Sequence, residues 1–148
     1  MSRNTIVSRI TLWVSRLVCV LVAALLPTFP MFLKWYVGFR PLTDAGQTAL
    51  TIAFYICAAI TLLALWNVDT LLRCILKDQV FTEKNVNTIR AIRWCCAGIS
   101  LVCLPAAFFY LPLVFMVLIM AFLALVITVL VRVMSAAVEI REENDLTI

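Results

Sequence analysis

From Thr48 to Trp66 the chain carries no charged side chain, and from Leu113 to Val131 it again carries none. An unbroken apolar run of that length points to a helix crossing a bilayer, where every backbone N–H and C=O must be satisfied within the segment. Two further blocks qualify once their flanking cations snorkel. One is Leu17 to Leu33 between Arg16 and Lys34, about 25 Å of helix against a hydrocarbon core of about 30 Å. The other is Trp94 to Leu111, which follows Arg93. Composition supports the same reading, since 65% of residues are hydrophobic and 14% charged, where a soluble domain is roughly half apolar. The expected fold is all-α: a polytopic membrane protein, an antiparallel four-transmembrane-helix bundle with cytoplasmic helical extensions. A single domain is expected over 1–148, with spans at about 14–36, 48–68, 92–111 and 113–133, a hairpin at about 69–91 and a tail at about 134–148.

The segments between the spans carry the local detail. Arg3, Arg9 and Arg16 alternate with Ile6, Ile10, Trp13 and Leu17 at helical spacing, a basic amphipathic lead-in at a membrane surface. Leu17 to Leu26 could serve as the core of a signal peptide, but Pro27-Thr28-Phe29-Pro30 follows instead of a small-x-small cleavage site, so a retained anchor is expected. Pro27 and Pro30 should bend or end this helix, Trp35 and Tyr36 mark an interface, and Gly38 to Gln47 reads as a loop. The second helix should continue past its span through Val68, Leu71, Leu72, Ile75 and Leu76, with Asp69 pairing with Arg73.

A polar bridge, Lys77-Asp78-Gln79-Val80-Phe81-Thr82-Glu83-Lys84-Asn85, then separates the two apolar halves. Thr82 reads as a helix N-cap, Glu83 lies in the first turn, and Phe81 can pack on Val86. Pro105 should kink the third helix. Phe108-Phe109-Tyr110-Leu111-Pro112 leaves only a tight aromatic turn before the fourth, which should run on to Glu143 before Asn144 caps it.

Sidedness follows from the cations. Three Lys/Arg precede the first span, five lie between the second and third and two lie in the tail, against two in the first loop. The bias places both termini and the hairpin in the cytoplasm. These cations flank apolar blocks and form no basic run, so direct nucleic-acid binding is not expected. Ala49, Ala53, Cys57 and Thr61 form a small-residue stripe that admits close approach of another helix, from the same chain or a second copy.

No residue set announces a reaction. There is no histidine and no C-x-x-C pair, and Cys19, Cys57, Cys74, Cys95, Cys96 and Cys103 fall mostly inside apolar blocks, where thiols pack as small hydrophobes. Cys95 and Cys96, at the membrane boundary, could alternatively be lipidated. Ser100, Thr128 and Tyr55 are isolated hydroxyls in apolar surroundings, and those of Ser100 and Thr128 are expected to bond their own helices. No catalytic residue, metal site or cofactor is expected, and the chain is not read as an enzyme.

Val80-Phe81-Thr82-Glu83-Lys84-Asn85, then Ile89-Arg90 and Arg93-Trp94, four spans, and the ending Glu142-Glu143-Asn144-Asp145-Leu146-Thr147-Ile148 together resemble the domain-of-unknown-function 2975 family of small bacterial membrane proteins. The resemblance implies a four-helix protein of the bacterial inner membrane. It also implies a neighbouring small helix-turn-helix regulator for which the membrane protein would be a partner or inhibitor.

The tail is the strongest functional signal in the residues themselves. Glu139, Glu142, Glu143 and Asp145 face one local cation, Arg141, and acids at a helix C-terminus oppose its dipole by about 0.3–1 kcal/mol each. The tail's charge could simply be screened by solvent, the tail could fold beneath the bundle onto Arg9, Arg90 and Arg93, or it could dock a basic protein surface. Candidate partner-binding residues are Phe81, Thr82, Glu83, Asn85, Arg90, Arg93, Glu142, Glu143, Asp145, Leu146 and Ile148. The competing reading is a small transporter or membrane-stress or immunity protein acting within the bilayer.

Overall fold

The computed structural model describes residues 3–77 and 79–147, so Asp78 of the bridge and Ile148 of the tail lie outside the described residues, as does the Arg3 side chain. The chain forms four helices, α1 (Arg3–Phe39), α2 (Asp44–Leu76), α3 (Glu83–Ala107) and α4 (Leu113–Thr147). Each is long and apolar enough to cross a membrane, and no strand occurs among the described residues.

Among the described residues, helix backbones come close only between neighbours in the chain: α1 with α2, α2 with α3, α3 with α4. The four therefore form an open row in which α1 does not reach α4. Contacts pair residues in opposite order along consecutive helices. Arg16 meets Asp69 where Leu26 meets Tyr55 further along, and Cys57 meets Cys103 while Ile60 lies beside Gly98. The tightest packing is at the hairpin end, where Val86 and Ile89 of α3 and Val131 and Val138 of α4 are buried together, with Leu71, Ile127 and Met134 against them.

Several local expectations change. Neither Pro27 nor Pro30 ends α1, which continues to Phe39. Pro30 has no N–H to offer the carbonyl four residues back, which is that of Leu26. The Tyr55 hydroxyl of α2 donates to that carbonyl at 3.3 Å. Beside this bond Phe29 stacks on Phe54, ring centroids 3.7 Å apart and nearly parallel. The expected loop from Gly38 to Gln47 is shorter, because α2 already begins at Asp44. Asn144 caps nothing, since α4 runs through it to Thr147.

At the opposite end from the hairpin, the aromatic turn closes over α2. A Cβ added at Gly46 would lie 3.3 Å from the Phe109 ring, so that ring sits directly on the glycine backbone. Tyr110 meets Tyr36 of α1 edge-on at 5.7 Å. The small-residue stripe of α2 is used within the chain, with Ala53 buried and Cys57 Sγ 3.5 Å from Cys103 Sγ. Ser100 does not bond its own helix: its hydroxyl donates to the Val117 carbonyl of α4 at 3.2 Å. Thr128 does, donating to Ala124.

Candidate functional site

The bridge between α2 and α3 is held by a side chain that lies past it. Asn85 is 1% exposed, and its amide donates to the carbonyls of Gln79 and Val80, the latter at 3.0 Å. Those carbonyls belong to neither helix, so they lack helical donors, and the amide ties the bridge to the first turn of α3. The Asn85 carbonyl oxygen is itself buried without a hydrogen-bond partner. Thr82 occupies the N-cap position with extended backbone, and its carbonyl accepts from the Asn85 and Val86 N–H groups. Its hydroxyl makes no capping hydrogen bond, contrary to expectation. Asn85, not Thr82, is the polar side chain that organises this turn. Phe81 is left 44% exposed beside it.

α4 passes alongside. Beyond Val138, every described residue of α4 is exposed, so the tail does not fold beneath the helices. Among its described residues, no acid forms an ion pair with Arg9, Arg90 or Arg93 either. Among the described residues the ion pairs are Arg16 with Asp69 and Arg73 with Asp69. The expected Asp69–Arg73 pair is present at 2.6 Å. The acids of α4 instead line two adjoining hollows against the start of α3. One, of about 190 Å³, is bounded by Glu83, Asn87, Arg90, Ser135, Glu139 and Glu142. The other, of about 450 Å³, is bounded by Gln79, Phe81, Thr82, Arg141 and Asp145, with Glu83, Val138 and Glu142 common to both.

The geometry thus gathers Phe81, Thr82, Glu83, Arg90, Glu142 and Asp145 of the expected residues into one groove. Asn85 supports it from below. Arg93 does not join: its guanidinium lies over the Trp94 ring, 5.4 Å from the centroid. Glu143 and Leu146 are exposed away from the groove lining, and Ile148 lies outside the described residues. Glu139, Arg141, Ser135 and Asn87 belong to the lining and were not singled out for it. The repeat Glu139, Glu142 at i, i+3 was the available signal, since it places both carboxylates on one side of α4.

Four carboxylates, Glu83, Glu139, Glu142 and Asp145, outweigh Arg90 and Arg141 in this groove, and an exposed phenyl ring lies at its edge. Such a surface can attract and orient a cationic partner. Among the described residues no group of three or more His, Cys, Asp or Glu is placed to hold a metal ion. Cys95 and Cys96 are both buried, which leaves neither thiol open to a lipidating enzyme in this arrangement.

A family model described as "Protein of unknown function (DUF2975)" matches residues 17–148. No curated protein and no solved structure matches the chain.

Proposed function

The chain belongs to the DUF2975 family, and on that premise we propose that it is a non-enzymatic membrane protein that holds a basic cytoplasmic partner at the α3–α4 groove. The partner class that fits is a small helix-turn-helix regulator, whose DNA-facing surface is cationic and would be occluded while bound. The observation that carries this reading is the state of Glu139, Glu142 and Asp145: they line an open groove, and among the described residues none of them forms an ion pair with the chain's own cations. The Lys/Arg bias supports a cytoplasmic groove in a bacterial inner-membrane protein with both termini inside.

Exposed ion pairs contribute only about 0–1 kcal/mol each. The charges therefore mainly raise the encounter rate, and retention rests on apolar contact with Phe81 and Leu146, both exposed. The test is co-sedimentation of the small helix-turn-helix regulator that the family resemblance implies with membranes bearing the intact chain or one lacking Asp145 to Ile148, at low and high salt. Retention by the intact chain, reduced by salt and lost on truncation, supports the proposal. Equal recovery with both chains, or none with either, rejects it.

A further inference from the structure

At the hairpin end, between α1 and α2, lies a crevice of about 300 Å³ lined by Ser15, Arg16 and Cys19 on one side and Leu62, Leu65, Trp66, Asp69 and Arg73 on the other. Its polar centre is one carboxylate shared by two guanidinium groups. Asp69 takes Arg73 at 2.6 Å and Arg16 at 3.6 Å. A simple strap between helices would be one cation and one anion. Here the cluster keeps one unit of positive charge, and α1 contributes no acid anywhere along its length.

Both arginine side chains remain more than half exposed, at 53% and 60%. Each guanidinium has five N–H donors, and Asp69 engages only some of them. The carboxylate, at 21% exposure, is the inner member that holds the two cations in place. The level in the membrane is set by sequence. Arg16 directly precedes the uncharged run from Leu17, and Asp69 and Arg73 follow closely on the uncharged run that ends at Trp66. That is the depth of phospholipid phosphates, and the exposed indole of Trp66 suits the same layer. Below the arginines the crevice wall is Cys19, Leu62 and Leu65, apolar side chains from the two uncharged runs.

We propose that this crevice is a binding site for an anionic phospholipid, its phosphate held by Arg16 and Arg73 and one acyl chain running along Leu62, Leu65 and Cys19. The net charge of the cluster selects anionic over zwitterionic lipid. One net basic charge at the membrane surface corresponds to about fivefold enrichment. The α1–α2 crevice is separate from the α3–α4 groove, and the lipid test is independent of any protein partner.

The experiment uses the full chain in nanodiscs with Trp13, Trp35 and Trp94 replaced by Phe, so that Trp66 alone reports. Brominated phosphatidylglycerol or brominated phosphatidylcholine is added at the same minor fraction, and quenching of Trp66 is compared. About fivefold higher local occupancy by the brominated phosphatidylglycerol is expected. Arg16→Gln with Arg73→Gln should remove that preference, while Arg16→Lys with Arg73→Lys should retain part of it. Equal quenching by the two lipids in the unsubstituted site overturns the proposal, whatever the variants do. Relief of quenching by soluble glycerol phosphate also overturns it, because the site would then select the free phosphate and not the lipid.

Discussion

Tyr55 of α2 donates its hydroxyl hydrogen to the carbonyl of Leu26, the acceptor that Pro30 leaves without a helical donor. The bond lets α1 cross the membrane through two prolines without an orphaned carbonyl at that step. Hydrogen bonds between membrane helices average about 0.6 kcal/mol by double-mutant cycle. Tyr55→Phe should therefore destabilise the protein by about that amount or somewhat more. In a Pro30→Ala background the helical N–H returns, and the same substitution should cost markedly less. The measurement is reversible unfolding of all four proteins in one detergent. A Tyr55→Phe cost that is the same with and without Pro30 would show the bond to be incidental.

Asn85 and Thr82 separate in the same manner. Asn85→Ala strands two bridge carbonyls and should cost about 1–3 kcal/mol. Thr82→Ala removes a hydroxyl that makes no cap bond, so it should stay within about 0.5 kcal/mol, the usual range for a surface change. Thermal unfolding with hydrogen exchange at residues 79–86 decides. A larger loss for Thr82→Ala than for Asn85→Ala would reverse the assignment.

Two glycines should respond oppositely to an added methyl group. At Gly98 the new Cβ meets only Ile60 at 3.7 Å, an ordinary contact, so Gly98→Ala should be neutral or stabilising by up to about 1 kcal/mol. At Gly46 it meets the Phe109 ring and the Thr43 hydroxyl, both at 3.3 Å. Gly46→Ala should lift the aromatic turn and lower the unfolding temperature. Equal shifts at the two sites would contradict the packing of Phe109 on α2.

Sidedness can be read with single cysteines at Thr43, Lys84 and Asp145, all exposed positions. Asn85 is unsuitable because it is buried, and none of the native thiols is exposed. An impermeant maleimide added to intact cells should label Thr43→Cys and spare the other two. The opposite pattern would invert the topology and remove the groove from the cytoplasm.

Within the groove, position should matter more than charge count. Glu142→Lys changes a lining carboxylate, whereas Glu143→Lys makes the same change of charge at an exposed position outside the lining. Partner retention should fall steeply for the first and little for the second, with the difference shrinking at high salt. Similar losses would mean that the tail acts only through its overall charge.

The helices were legible because an uncharged run has few alternatives in lipid. The Asp69–Arg73 pair and the start of α3 at Glu83 were legible because they depend on spacings within a few residues. The contacts of Tyr55 with Leu26, Ser100 with Val117 and Cys57 with Cys103 were not. A soluble helix advertises its buried face by contrast with a polar one. A membrane helix is apolar toward lipid and toward its neighbours alike, so periodicity says little about which face meets which. Asn85 was noticed as part of a motif, but its work depends on where the carbonyls of Gln79 and Val80 turn, which spacing does not specify. The α4 ending was misjudged for a local reason: Asn144 looked like a stop, yet the helix continues through it to Thr147.

That continuation sets a distance. From Arg132, at the end of the apolar run, to Asp145 the helix rises about 20 Å, while electrostatic influence in physiological salt decays over about 8 Å. In the proposed orientation Asp145 stands more than one such length beyond the negative lipid surface, like a float moored on a stiff line, and a cationic partner would meet it in open solution before nearing the bilayer.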